Sequence, residues 1–164
     1  MTDLPEPDLV ASSAFWERAI AAGAVPVGSA LPNGVESFGD SVELADELID
    51  LIIVGTKRAT ASAFADYDED TSLMPAIGEL SVATDGTGTP RAILRTTDIR
   101  VGPLSSVDDR FAWDEGEGNR TVDDWLGSHE TFFRRYLPTI GRVFDHDMPT
   151  VFERFEVLYT ERPT

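Results

Sequence analysis

Glu79-Leu80-Ser81-Val82-Ala83-Thr84, followed by Asp85-Gly86-Thr87-Gly88-Thr89-Pro90 and then by Arg91 through Val101, gives the clearest reading in the chain. Glu79–Thr84 alternates with the period of two that a half-buried strand requires. The Asp-Gly and Gly-Thr-Pro steps are turn chemistry, so Arg91–Val101 is expected to return as the antiparallel partner. Working outward, Leu9, Val10, Phe15, Trp16, Ala19 and Ile20 recur at helical spacing, which predicts a helix over residues 8–22 stopped by Gly23. Residues 24–40 read as a Pro-, Gly- and Ser-rich loop. A second helix is expected from an N-cap at Asp40 or Ser41 to Gly55, with Val42, Leu44, Ala45, Leu48, Leu51 and Ile52 as its apolar stripe. Ala59–Ala65 is expected to be extended or briefly helical, and Phe111–Asn119 a loop. Thr121 should cap a third helix reaching about Leu137, and Met148–Thr160 a last strand with Val151 and Phe152 on opposite faces. Strands that close on one another with helices packed at the ends give an α+β fold.

The composition narrows the function. At 164 residues the chain is expected to be one domain, 1–164, with a flexible tail over 1–7. That tail, Met1-Thr2-Asp3-Leu4-Pro5-Glu6-Pro7, is acidic and Pro-rich, the opposite of a signal peptide. No apolar run approaches the ~18–20 residues that span a bilayer, so a cytoplasmic protein without a membrane partner is expected. Cysteine is absent, which excludes disulfides, thiol nucleophiles and thiolate metal sites. The net charge of −17 repels duplex DNA and anionic membranes at long range. Screening over a Debye length of ~8 Å still permits a local basic cleft. No cofactor and no metal site is expected, because the acidic loop lacks EF-hand spacing and the two histidines have no partner spacing.

Three stretches carry chemistry. Lys57 is the single lysine among thirteen basic residues, in Gly55-Thr56-Lys57-Arg58-Ala59-Thr60. Unlike arginine, a desolvated lysine can lose its proton and act as a base. On a helical turn, Lys57 and Thr60 would share a face and the amine could activate the hydroxyl. The bland alternative is a helix C-terminus whose dipole Lys57 and Arg58 complement. The second stretch is Trp113-Asp114-Glu115-Gly116-Glu117-Gly118-Asn119, where a glutamate against an aromatic wall can have a raised pKa and serve as acid or base. A solvated acidic loop reads the same way. The third places Trp125 and His129 at i and i+4 on one helix face, followed by Phe132 and Phe133 in an apolar face. The adjacent Arg134 and Arg135 could hold a phosphate.

Taken in order, these motifs resemble the ASCH domain family, whose fold is PUA-like. They are Phe15-Trp16, Gly55-x-Lys57-x-x-Thr60-Ala61-Ser62, Pro75-x-x-Gly78, Phe111-Ala112-x-x-Glu115-Gly116-Glu117-Gly118-Asn119, Trp125-x-x-x-His129-x-x-Phe132-Phe133 and Val151-x-Glu153-x-Phe155-x-Val157-x-Tyr159. The resemblance is to the longer bacterial members. It implies a small PUA-like β-barrel flanked by helices, with a cleft lined by the Gly-x-Lys motif and an action on RNA or ribonucleosides.

Some small members of the family hydrolyse the amide of N4-acetylcytidine with a Lys, a Thr three residues later and a downstream Glu. Carried over by motif, the catalytic residues are Lys57, Thr60 and Glu117, with Glu115 next. Substrate-binding residues are Gly55, Arg58, Ser62, Tyr67, Trp113, His129 and Arg134. Arg58 and Ser62 depart from the family pattern, where Thr and Arg are frequent. The leading expectation is therefore an amidohydrolase of a modified ribonucleoside. The alternatives are a single-stranded RNA-binding protein or ribonuclease using the same cleft, and a non-catalytic nucleotide-sensing module.

Overall fold

The computed structural model describes residues 4–161. Of the expected tail over 1–7, residues 1–3 lie outside the described residues, while Asp8 N donates to Gly88 O at 2.9 Å. The chain gathers into two compact units, one built from residues up to Thr56, Gly78–Thr96 and residues from Phe155 on, the other from Lys57–Ile77 and Thr97–Arg154. The elements are α1 (Leu9–Ala21), β1 (Val35–Ser37), α2 (Val42–Ile53), β2 (Ala59–Ala63), β3 (Leu80–Thr84), β4 (Pro90–Pro103), α3 (Asp109–Glu115), α4 (Val122–Tyr136) and β5 (Pro149–Thr160), with short 3-10 turns between them. Among the described residues, four helices and a mixed sheet confirm the α+β class.

In the first unit the expected hairpin forms. β3 and β4 pair antiparallel, with Leu80 opposite Arg95 and Val82 opposite Ile93. Asp85 organises the turn, its carboxylate accepting from Thr87 N at 3.0 Å and Thr89 N at 3.1 Å. Within this unit the strand order is β1-β3-β4-β5. β1 runs parallel to β3, Val35 opposite Val82, inside the segment expected to be a loop. Three residues are too few to leave a periodic signal, and β1 exists because β3 offers it an edge. The carboxylate of Asp8 caps α1 through Ala11 N at 2.9 Å, and α1 buries Phe15, Trp16 and Ala19 against Val82 and Ile93. Ser41 caps α2, which buries Ile49 and Ile52 against Ala83, Ala92, Leu94 and Phe155. Gly55, at φ +82°, ends it in the left-handed region that glycine enters without a Cβ clash.

The second unit carries the strand order β4-β5-β2. β2 pairs antiparallel with β5, Ala59 opposite Arg154, Thr60 opposite Glu153, Ala61 opposite Phe152 and Ala63 opposite Thr150. Its core gathers Leu104, Phe111, Trp125, Phe133, Leu137, Met148 and Phe152. α4 begins at the expected cap, Thr121 accepting from Asp124 N at 3.3 Å. Asp123 and Asp124 in its first turn and Arg134 and Arg135 in its last complement the helix dipole.

Among the described residues no helix is long and apolar enough to cross a membrane.

Candidate functional site

The site lies in the second unit and is assembled from the start of β2, the end of α3 and the first turns of α4. α3 corrects the sequence reading, which expected a loop over Phe111–Asn119. Asp108 accepts from Phe111 N at 2.8 Å and caps a two-turn helix that closes at Gly116. A helix this short leaves little periodicity in sequence, and its cap lies among other acidic residues. Its helical spacing has a consequence. Phe111, Ala112 and Glu115 fall on the buried side, whereas Trp113 remains 54% exposed.

Glu115 is thus driven into the interior, where it is 2% exposed, and meets three partners. Trp125 Nε1 donates to Oε2, His129 Nε2 donates to Oε1 at 3.1 Å, and the Lys57 ammonium lies 3.8 Å from Oε1. His129 Nδ1 faces the backbone carbonyl of Trp125 at 2.8 Å. Both ring nitrogens therefore address acceptors, which fits the imidazolium form. The ring also stacks on the Trp125 indole, centroids 3.7 Å apart and planes 16° from parallel, so the i, i+4 pair read from sequence is present.

Lys57 is 1% exposed. Its Nζ donates to Ala59 O at 2.8 Å, Glu115 O at 3.4 Å and Glu117 Oε1 at 2.7 Å. These three bonds all run outward from nitrogen, as the three N–H groups of an ammonium require. Glu117 keeps 31% of its side chain exposed, so it is the solvent-facing member of the set. Two cations and two carboxylates balance, which is the condition under which buried charge is tolerated.

The expectation of a raised carboxyl pKa is reversed at Glu115. Burial alone would push it up, but the charges of His129 and Lys57 and the hydrogen bonds from His129 and Trp125 outweigh burial and hold it below the usual carboxylate range. Burial likewise opposes charge on His129, yet the Glu115 carboxylate, its hydrogen bond and the Trp125 carbonyl raise the imidazole above its ordinary value.

Thr60 is half-buried in β2 rather than on a helical turn. Alternation places it with Ser62 on the face opposite Ala59, Ala61 and Ala63. Ser62 Oγ meets the Tyr67 hydroxyl at 2.9 Å. Arg58 N donates to Asp114 O at 2.7 Å, which fixes the start of β2 to the end of α3. Gly55 belongs to the first unit. Arg134 is tied to Glu130 at 2.9 Å and lies over Phe144, so it is held by its own helix and a neighbouring ring. Sequence reasoning missed Trp125 as the donor that fixes Glu115. It also missed Arg110 and Arg154, which converge on Asp114 at 4.0 and 3.2 Å. Only the i, i+4 spacing of Arg110 and Asp114 hinted at this, and it requires the helix to be known.

An α+β chain with a Gly-x-Lys turn feeding a buried lysine–glutamate–histidine set defines a class. A family model described as "ASCH domain" matches residues 34–159, and the chain belongs to that family. The ASCH domain of Lactobacillus crispatus JV V101 has a similar structure at TM-score 0.80 with 29% identity, covering 92% of this chain and 95% of that one. The protein EF3133 of Enterococcus faecalis V583 is similar at TM-score 0.81 with 32% identity, covering 91% and 88% respectively. No curated protein is matched by the sequence.

Proposed function

We propose that the protein is a hydrolase of a modified ribonucleoside, cleaving the exocyclic amide of an N4-acetylcytidine-type substrate. The observation that carries this reading is the Lys57–Glu117 pair: a buried ammonium holds a carboxylate that solvent can reach, at 2.7 Å. Such a carboxylate is oriented and accessible, as a general base must be. The outward hydrogen bonds of Nζ favour Glu117 over Lys57 as the group that receives a proton. In this reaction Thr60 Oγ attacks the acyl carbon and its proton passes to Glu117. Glu117 then protonates the departing N4 amine as the C–N bond breaks, leaving an acyl ester on Thr60. Water, deprotonated by Glu117, cleaves the ester, releasing the acid and restoring the Thr60 hydroxyl. Glu115, His129 and Trp125 position Lys57 from behind.

The test is product analysis by mass spectrometry with N4-acetylcytidine and a short single-stranded RNA in one mixture. Wild type should yield cytidine and acetate, while Thr60→Val and Glu117→Gln should each lose at least a hundredfold in rate, the scale of general-base catalysis. Full activity in Thr60→Val would remove the nucleophile role. A second reading, single-stranded RNA binding, is favoured by Trp113, whose half-exposed indole carries the Arg120 guanidinium at 3.6 Å. Shortened RNA with untouched nucleoside would select it.

A further inference from the structure

One carboxylate on α3 collects three guanidiniums. Asp114 is approached by Arg58 Nη2 at 3.5 Å, by Arg154 Nε at 3.2 Å and by Arg110 Nε at 4.0 Å. Arg154 also reaches Asp98 at 3.5 Å. One residue before Asp114, Arg120 lies over the Trp113 ring and donates to Trp113 O at 2.8 Å. Three guanidiniums are thus grouped about two carboxylates, with a fourth on the neighbouring Trp113, in a protein whose net charge is −17. Arg154 and Arg58 anchor Asp114, but a third, highly exposed guanidinium adds little to stability. Arg110 in particular is 85% exposed and held at the limit of ion-pair range.

The group also sits beside the chemistry. Arg58 follows Lys57, and Asp114 precedes Glu115. Arg154 is held in β5 directly opposite Ala59, whose carbonyl accepts from Lys57. We infer that the Arg58, Arg110 and Arg154 side chains form a phosphate-monoester site, so that the substrate is a nucleotide carrying a terminal phosphate rather than a free nucleoside. This rests on the hydrolase reading for the neighbouring chemistry, but the phosphate site itself can be tested without turnover.

Arg58, Arg110 and Arg154 outnumber Asp114 and Asp98 by one, so an anion is favoured at close range. Three guanidiniums match the three free oxygens of a terminal phosphate, whereas an internal RNA diester offers two. Guanidinium forks suit phosphate oxygens bidentately, which lysine would not. The overall negative field opposes any anion at a distance, so recognition must be local, within a Debye length of ~8 Å. Trp113 and Arg120 supply a flat surface at the rim for the base.

Calorimetric binding of cytidine 5′-monophosphate and of cytidine to the full chain at fixed ionic strength tests the site. The monophosphate should bind about tenfold more tightly than cytidine, as two charge-assisted contacts require. In the Arg58→Gln/Arg110→Gln double variant that preference should fall below about twofold. Circular dichroism and melting of the variant confirm that it is folded, and Arg58→Lys/Arg110→Lys should recover part of the preference.

Turnover of N4-acetylcytidine and its 5′-monophosphate separates the two readings. Preferential binding of the monophosphate without hydrolysis of either compound upholds the phosphate site and removes the hydrolase. Hydrolysis of both at equal kcat/KM, with equal binding, removes the phosphate site and leaves the hydrolase standing. An oligoribonucleotide without a terminal phosphate that binds more tightly than the monophosphate overturns the monoester assignment, as does the absence of binding by all three ligands.

Discussion

Glu115→Gln isolates the electrostatic core of the site. The substitution preserves volume and leaves an acceptor for Trp125, but it removes the negative charge that faces both Lys57 and His129. Lys57 is buried and His129 keeps only 11% of its side chain exposed, so neither regains full hydration. Removing one partner from a buried ion pair costs about 3–5 kcal/mol. For a chain of this size each kcal/mol is about 2–4 °C, so Tm should fall by about 6–20 °C.

The pH dependence sharpens the test. The folded pKa of His129 is raised, so its stabilisation is complete below the unfolded value of about 6.5 and is lost as pH rises through the folded value. The folded pKa of Glu115 is lowered, so its stabilisation is complete above the unfolded value of about 4.3 and is lost as pH falls through the folded one. Wild-type stability from this pair should therefore plateau between about pH 4.3 and 6.5, with an alkaline decline no steeper than about 1.4 kcal/mol per pH unit. In Glu115→Gln that alkaline decline should vanish, because His129 no longer holds its proton through Glu115. Thermal melts by circular dichroism at half-unit pH steps, with the His129 ring resonances followed by NMR, provide the measurement. A Tm loss under 2 °C, or an alkaline arm unchanged in the variant, would refute the assignment of Glu115 as the shared counter-ion.

Other expectations follow from the same geometry. Trp125→Phe keeps an aromatic ring for His129 to stack on but removes the donor to Glu115, and should cost about 1–3 kcal/mol in urea unfolding. Gly118→Ala would strain the backbone at φ +56° and crowd the Asp124 carboxylate that accepts from Asn119 N, so it should disturb the loop carrying Glu117 and lower kcat while circular dichroism shows the helices intact. Gly86→Ala would place a Cβ 2.4 Å from Val42 O at the hairpin in the other unit. It should lower Tm while leaving the His129 resonances in place. Thr121→Ala removes the α4 cap and should cost about 1 kcal/mol, read from the urea midpoint.

Much of this protein is written locally. The β3–β4 hairpin follows from alternation and an Asp-Gly turn, and the capped helices α1, α2 and α4 from periodicity with Asp8, Ser41 and Thr121 at their starts. The i, i+4 placement of Trp125 and His129 is likewise a property of one helix. The rarity of lysine drew attention to Lys57, and motif order pointed to the family. The hairpin, the caps and the i, i+4 pair depend on residues within a few positions of one another, and lysine rarity and motif order on composition and linear order, neither of which needs a tertiary contact.

What sequence could not supply depends on partners distant along the chain. β1 forms only because β3 presents an edge to it, and α3 is fixed by burying Phe111 and Ala112 as much as by its own seven residues. The state of Glu115 is the sharpest case. A glutamate beside aromatic residues reads as a candidate for a raised pKa, and burial does push in that direction. The helix that buries it also delivers it to Lys57, 58 residues away, and to His129, 14 residues away, and their charges reverse the sign. Side-chain type and spacing determined which groups were available. The tertiary structure decided which charges face one another, because electrostatic energy depends on separation in space and on burial, and sequence distance measures neither.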